Sequence, residues 1–199
     1  MVVRSMRIFV ILLTGALFTV GPTLADSTFD AAMSAYRNYD FAKAAELFRI
    51  AALHGNALAQ NNLGVMYEKG EGVPQDDKEA VRWFRLAAEQ GNAQAQLHLG
   101  NQYARGYGVA RDNQEAVKWF RLAAEQGNAT AQRNLGLSYL YGEVTPQDFI
   151  KAYAWLTVAE ANGDEKAGDI IELFIDRMAP AELYIAQELA ARYDAQTGR

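Results

Sequence analysis

The chain has 199 residues, of which 50% are hydrophobic and 22% charged, a composition typical of a globular domain rather than of a disordered segment. Its formal net charge is −5 at pH 7. Because binding to phosphates requires clustered Lys and Arg, this acidic balance argues against DNA or RNA as a partner. The chain contains no cysteine, so neither a disulfide nor an acylated lipobox cysteine is available to it.

The first 25 residues differ in character from the rest of the chain. Arg4 and Arg7 precede the apolar run IFVILLTGALFTV at 8–20, and small residues follow. This order predicts a secretory signal peptide at 1–25, cleaved after Ala25. The apolar run is shorter than the about 20 residues that span a bilayer, but an uncleaved N-terminal anchor remains an alternative. We therefore expect export to the bacterial periplasm, with no stable membrane insertion after cleavage.

A unit of 36 residues recurs through the remainder of the chain. The motif EQGNAQAQLHLG at 89–100 returns as EQGNATAQRNLG at 125–136. The units lie at 57–92, 93–128 and 129–164. The first two agree at 23 of 36 positions, and the third agrees with the second at 12. A period of this length predicts stacked helical units, that is, a solenoid.

Each unit contains two amphipathic helical patterns. In the first unit Leu63 and Tyr67 lie on one predicted helix, and Trp83 follows on the second. Asp76 with Glu79 fits a capping box at the start of the second helix, as Asp112 with Glu115 does one period later. Glycines at the period fit the left-handed residue just past the second helix: Gly55, Gly91, Gly127 and Gly163. Another set fits close approach between the two helices: Gly64, Gly100 and Gly136.

With these residues the chain resembles the Sel1-like repeat of the tetratricopeptide-repeat superfamily, whose pattern is AQxxLGxxYxxGxGVxxDxxxAxxWFxxAAxQGN. The third unit departs from the pattern at Val144 and Thr145 in the inter-helix turn and at Lys151. The segment 26–56 resembles a shorter tetratricopeptide-like unit, 165–194 forms predicted capping helices, and 195–199 is a tail. The resemblance implies an all-α, right-handed α-solenoid of antiparallel helix pairs with a C-terminal capping helix pair.

Motifs that carry catalysis or bind cofactors are missing from the sequence. It contains neither HExxH nor Ser-x-x-Lys in the predicted mature chain, and His54 and His98 are its only histidines. The turn GEGVPQD lacks the Lys-Ser/Thr of a phosphate-binding loop and carries Asp76 where an anion would bind. The periodic Trp83, Trp119 and Trp155 are interpreted as core rather than as a sugar-stacking platform. We therefore predict no catalytic residue, no metal and no cofactor.

The resemblance implies that the first helix of each unit lines a concave groove. The side chains predicted to contact a partner are Asn61, Asn101, Arg105, Arg133, Leu137, Leu140 and Tyr141. An exposed Tyr beside Leu is typical of an interface hot spot. In the alternative, the terminal helices cover Leu137, Leu140 and Tyr141 as core, which would make Asn61, Asn101 and Arg133 the better candidates.

The resemblance further implies a non-catalytic periplasmic scaffold or regulator that presents its groove to a partner protein, namely an envelope or membrane protein. One alternative is a cell-wall enzyme of the β-lactamase or penicillin-binding kind, although the missing cysteines and Ser-x-x-Lys weaken it. The other is a peptidoglycan- or glycan-binding module that uses exposed aromatics such as Tyr107 and Tyr141.

Overall fold

The computed structural model describes residues 24–142 and 146–197, and every regular element within these ranges is helical. The helices are α1 (Leu24–Arg37), α2 (Phe41–Leu53), α3 (Ala57–Lys69), α4 (Asp77–Glu89), α5 (Ala93–Arg105), α6 (Asn113–Glu125), α7 (Ala129–Tyr141), α8 (Phe149–Ala161), α9 (Glu165–Glu172) and α10 (Pro180–Gln196), with a 3₁₀ turn at Ile175–Arg177. Most of the predicted signal peptide and the divergent turn at Val144 and Thr145 lie outside the described residues. Within the described ranges, no helix combines the length and apolar character needed to cross a bilayer.

Consecutive helices pack against one another along the whole array. α1 packs on α2, α3 on α4, α5 on α6 and α7 on α8, and each second helix also contacts the first helix of the next pair. Because each pair buries its apolar stripe against its neighbours, the core runs along a one-dimensional stack as three buried clusters, with Tyr103 packed against the first two. The predicted all-α solenoid is confirmed.

Asparagine and aspartate side chains start the helices at the repeat period. Asn92 accepts a hydrogen bond from the Ala95 backbone N–H at 2.8 Å at the start of α5. Asp112 accepts from the backbone N–H of Gln114 and Glu115 at the start of α6. The other half of the predicted capping box does not form, because the Glu115 carboxylate binds Lys118 instead of the cap. The aspartate alone therefore provides the cap.

Two glycines in the unit at 93–128 show why the repeat requires this residue. A Cβ at Gly100 would lie 2.6 Å from ring atoms of Phe120, so α5 and α6 can approach only without a side chain there. Gly108 has φ +66°, and a Cβ on it would lie 2.1 Å from the carbonyl oxygen of Asp77. The turn of one unit is thus packed directly on the first turn of α4 in the unit before it.

A buried glutamine in each full unit ties three helices together. The Gln96 Nε2 donates to the Ala88 carbonyl at 3.1 Å, and its Oε1 accepts from Gln126 Nε2 at 2.8 Å. Gln60 and Gln132 make the same pair of contacts one period away on either side. Because a buried amide without partners is costly, this arrangement explains why the AQ pair recurs in every unit.

The tryptophans belong to the core, as predicted, although not equally. Trp83 and Trp155 are buried, whereas Trp119 is half-buried against the same cluster as Trp83. The ring of Tyr193 stacks on Trp155 with centroids 4.2 Å apart. Arg82 covers one face of Trp83 at 4.1 Å. Neither Trp83 nor Trp155 therefore presents a free ring face of the kind a sugar would need.

The terminal helices α9 and α10 both pack on α8. α10 covers the outer face of α8, where Val158 is 1% exposed. The equivalent residues of α4 and α6, Leu86 and Leu122, are 37% and 44% exposed. α8 carries Ala154 where α4 and α6 carry Arg82 and Lys118, which makes its outer face apolar enough to be covered.

Candidate binding groove

The first helices of neighbouring units leave an open cleft between α5 and α7. We call it the C-terminal cleft. Its volume is ≈ 220 Å³, and it is lined by Asn101, Ala104, Phe120, Asn134, Leu137, Ser138 and Tyr141. The cleft has an apolar floor with polar groups at its sides, which is the general composition of a site for a side chain of a ligand.

Three of the residues predicted for a partner meet in this cleft: Asn101, Leu137 and Tyr141. They belong to two different units, α5 and α7, and come together because the units stack. Asn134 Nδ2 donates to Asn101 Oδ1 at 3.3 Å across the cleft. This contact holds the two helices in register and leaves the Asn101 amide N–H groups available to a ligand.

At the C-terminal end of α7, two neighbouring candidate residues differ in exposure. Leu140 is 6% exposed and lies in the core, as the covered interpretation expects. Tyr141, the next residue, is 66% exposed at the end of α7, and the terminal helices do not cover it. Leu137 is half-buried between the two, packed on the core and lining the cleft.

Asn61 and Arg133, equivalent positions one residue from the groove face, do not line the described cleft. Asn61 is 8% exposed, and its Oδ1 has no hydrogen-bond partner among the described residues. Arg133 Nη1 binds the carboxylate of Asp164 at 2.7 Å, at the start of α9. Since consecutive helical residues are rotated by about 100°, a shift of one position moves a side chain from the groove to the contact with the next unit.

The groove residues that sequence reasoning missed are Asn62, Asn134 and Ser138. Asn134 precedes Leu137 by three and Tyr141 by seven, which places all three on one helix face. The spacing from Tyr141 was therefore a usable signal. Starting from Tyr141 rather than from the buried stripe would have found this face.

A second cleft opens between α1 and α3, two repeat units before the C-terminal cleft along the stack. We call it the N-terminal cleft. Its volume is ≈ 110 Å³, and it is lined by Met33, Tyr36, Phe48, Asn62 and Val65. Phe48 here corresponds to Phe120 in the C-terminal cleft, so the two clefts are the same feature of the repeat at different units. The N-terminal cleft is the smaller because Tyr36, whose Oη donates to Glu71 Oε2 at 2.7 Å, occupies part of it.

The middle of the groove, between α3 and α5, is filled. His98 stacks on Phe84 with ring centroids 4.8 Å apart, and Gln102 Nε2 donates to Glu68 Oε1 at 2.6 Å. Burial lowers the pKa of His98 below 6.5, which outweighs the opposing attraction of Glu68; the positive charge of Lys69 lowers it further. A neutral imidazole and an amide–carboxylate contact therefore form a polar centre between the two clefts.

Cations follow one rim of this groove at the ends of the first helices. Arg37, Lys69 and Arg105 are the last residues of α1, α3 and α5, and all three are exposed. Arg37 Nε donates to the Met33 carbonyl, and Lys69 lies 3.8 Å from Glu71. Arg105 has no partner among the described residues. Tyr141 takes the corresponding place on α7, so the rim changes from cationic to aromatic.

The described residues assemble no group of three or more His, Cys, Asp or Glu side chains able to hold a metal ion. His54 is exposed, with its Nδ1 2.8 Å from the Ile50 carbonyl oxygen in the last turn of α2. The groove itself presents two apolar clefts, side-chain amides and a cationic rim.

Comparisons with known proteins identify the family to which this architecture belongs. The family model for the Sel1 repeat matches residues 35–56, 57–92, 93–128 and 129–164. The chain belongs to the Sel1 repeat family. Sel1 repeats form helical solenoids that mediate protein–protein interactions, and the fold is typically a non-catalytic scaffold. Among curated proteins none matches the chain.

Two solved structures illustrate the likeness. A Sel1 repeat protein from Oxalobacter formigenes is 31% identical with a TM-score of 0.71, over 85% of this chain and 72% of that one. The protein c5321, a protective antigen of uropathogenic Escherichia coli with an SLR fold, is 29% identical with a TM-score of 0.61, over 87% of this chain. The present chain spans 46% of c5321, slightly under half of its length.

Proposed function

We propose that the protein is a non-catalytic periplasmic scaffold or regulator whose concave groove binds a partner protein of the cell envelope. The observation that carries the proposal is the C-terminal cleft, where Tyr141 is 66% exposed beside the half-buried Leu137. A large aromatic side chain held at the edge of a preformed apolar cleft loses little conformational entropy on binding.

The periplasmic location rests on the sequence at 1–25. A positive start, a short apolar centre and small residues at the exit support export and cleavage after Ala25. Fractionation of cells that produce the chain with a C-terminal tag, followed by N-terminal sequencing of the purified product, tests both points. A product that begins at Met1 in the membrane fraction would support the anchor alternative instead.

In vivo photo-crosslinking tests the groove. A photo-reactive phenylalanine analogue replaces Tyr141 in living cells, and captured proteins are identified by mass spectrometry after irradiation. The matched control is Tyr184, which is 65% exposed on α10 and lies outside the groove. One dominant envelope protein captured from position 141 and not from position 184 is the expected result. Equal capture from both positions would contradict a specific groove.

The two alternatives are tested on the purified protein. Labelling by a fluorescent penicillin would indicate the cell-wall enzyme, and we expect none because the predicted mature chain lacks Ser-x-x-Lys. Titration with peptidoglycan fragments would change tyrosine fluorescence if Tyr141 or Tyr107 stacked on a sugar. We expect no change at millimolar fragment concentrations.

A further inference from the structure

The groove has two apolar depressions separated by a polar centre. The N-terminal cleft lies between α1 and α3, and the C-terminal cleft between α5 and α7. Between them the Gln102–Glu68 contact and His98, stacked on Phe84, close the floor. A ligand that occupies both clefts must therefore pass over polar groups on the way.

This pattern excludes an amphipathic helix as the best-fitting occupant. A helix in a groove presents apolar side chains at steps of three and four residues and needs a continuous apolar floor. The centre of this floor offers a carboxylate, an amide and an imidazole instead. An extended segment places only alternate side chains toward the floor and leaves its backbone polar groups free to meet those of the protein.

The separation of the clefts sets the spacing of the two anchors. Neighbouring first helices contact one another through side chains, as Gln102 does with Glu68 and Asn134 with Asn101. At the about 8–10 Å typical of helices in contact, two such steps give about 20 Å, and an extended chain advances about 3.3 Å per residue, so the anchors are about six residues apart. The C-terminal cleft has twice the volume of the N-terminal one, ≈ 220 against ≈ 110 Å³. The larger of the two apolar side chains therefore fits at Leu137 and Tyr141.

The charges at the rim determine what lies between the anchors. Lys69 and Arg105 end α3 and α5, the two helices between the clefts, and Arg105 is exposed with no partner among the described residues. An Asp or Glu in the middle of the segment would pair with Arg105, because Lys69 already lies 3.8 Å from Glu71, and charge-assisted contacts to Arg are the stronger kind. The available N–H groups of Asn101 suit the carbonyls of an extended backbone.

We propose that the groove binds an extended partner segment with two apolar side chains about six residues apart, the larger in the C-terminal cleft, and an acidic residue between them. This inference rests on the proposed function and specifies the ligand of the same groove.

Selection of displayed random peptides of 14 residues on the purified protein tests it. The expected consensus has two apolar positions separated by five to seven residues with Asp or Glu between them. In fluorescence-anisotropy titrations of the synthetic consensus peptide, Arg105→Glu weakens binding at least tenfold. The same charge reversal on α10, Arg192→Glu, changes it less than twofold, because Arg192 is exposed outside the groove. We expect a peptide whose two apolar anchors are two residues closer together to bind at least tenfold more weakly.

The other results separate the inference from the proposed function. A consensus with apolar steps of three and four, or with Lys and Arg at its centre, overturns the inference. The inference is also overturned if no library enriches a peptide while position 141 still captures one envelope protein. In that case the proposed function stands. If Tyr141 crosslinks mainly to a second copy of this chain, the groove is a self-association surface and the inference is overturned. Failure of both selection and capture contradicts the inference and the proposed function together.

Discussion

Arg133 of α7 binds both carboxylate oxygens of Asp164, its Nη1 lying 2.9 Å from Oδ1 and 2.7 Å from Oδ2. Asp164 also accepts from the backbone N–H of Lys166 as the cap of α9. One period earlier the equivalent residues are Leu97 and Asn128, an apolar side chain and an uncharged cap. The third unit has therefore changed both positions together, and the ion pair joins it to the terminal helix.

We expect Arg133→Leu alone to lower the free energy of unfolding by about 2–4 kcal/mol, because it leaves the Asp164 carboxylate buried without its partner. The double variant Arg133→Leu/Asp164→Asn restores the pair of residues found one unit earlier, and we expect it to lie within about 1 kcal/mol of the wild type. Urea denaturation measures these two variants and the single variant Asp164→Asn, which completes the cycle. A double variant whose loss equals the sum of the two single losses would show that the residues are not coupled.

The turn glycine Gly108 gives a second prediction. Gly108→Ala forces a Cβ to within 2.1 Å of the Asp77 carbonyl oxygen at a φ of +66°. Gly91→Ala is the matched control, because Gly91 also has positive φ, +88°, but has no atom within 4 Å of the added carbon. We expect the control to lose about 1–2 kcal/mol from the backbone conformation alone and Gly108→Ala to lose at least about 2 kcal/mol more. If the two variants lose the same free energy of unfolding, the turn at Gly108 moves away from the Asp77 carbonyl without loss of stability, which would contradict the prediction.

The buried glutamine can be tested in the same way. Gln96→Met keeps a side chain of similar length and removes both hydrogen bonds, leaving the Gln126 amide with only the Leu122 carbonyl, 3.3 Å away, as acceptor. We expect a loss of about 1–3 kcal/mol. Gln114→Met on the exposed surface of α6 should change stability by less than about 0.5 kcal/mol. Thermal and urea unfolding of the two variants provide the comparison.

His98 makes stability depend on pH. Its pKa is lowered in the folded protein by burial, so the unfolded chain binds the proton more readily. The contribution of the neutral ring is present above pH 6.5 and is lost as the pH falls below 6.5. We expect the free energy of unfolding of the wild type to fall more steeply from pH 7 to pH 5 than that of His98→Gln.

Much of the fold could be predicted from the sequence because its signals are local. Asp112 and Gly91 stand at the ends of helices where short side-chain-to-backbone contacts and positive φ decide the conformation, and both behave as predicted. The 36-residue period then fixes the stacking. Glu115 was assigned to the same local motif, but Lys118 one turn away competes for its carboxylate.

The groove could be predicted only in part because its face depends on how units stack. Tyr141, Leu137 and Asn101 were identified, whereas Asn61 lies one residue from the face and is buried. Contacts between units decide which side of a first helix meets the next unit. The helical period of apolar residues does not reveal these contacts. The surface of α8 on which α10 packs could have been predicted from Ala154, which replaces the charged residue found at the same position of α4 and α6.

The contact of Gly108 with the Asp77 carbonyl, repeated by Gly72 on the Phe41 carbonyl, gives the array a direction. Each of these turns rests on backbone that was synthesised before it, so a unit leaving the ribosome meets its supporting surface already in place. The same geometry lets the chain lose or gain one whole 36-residue period: without residues 57–92, Gly108 would meet Phe41 as Gly72 does now. Length can thus vary during evolution by whole units without redesign of the junctions.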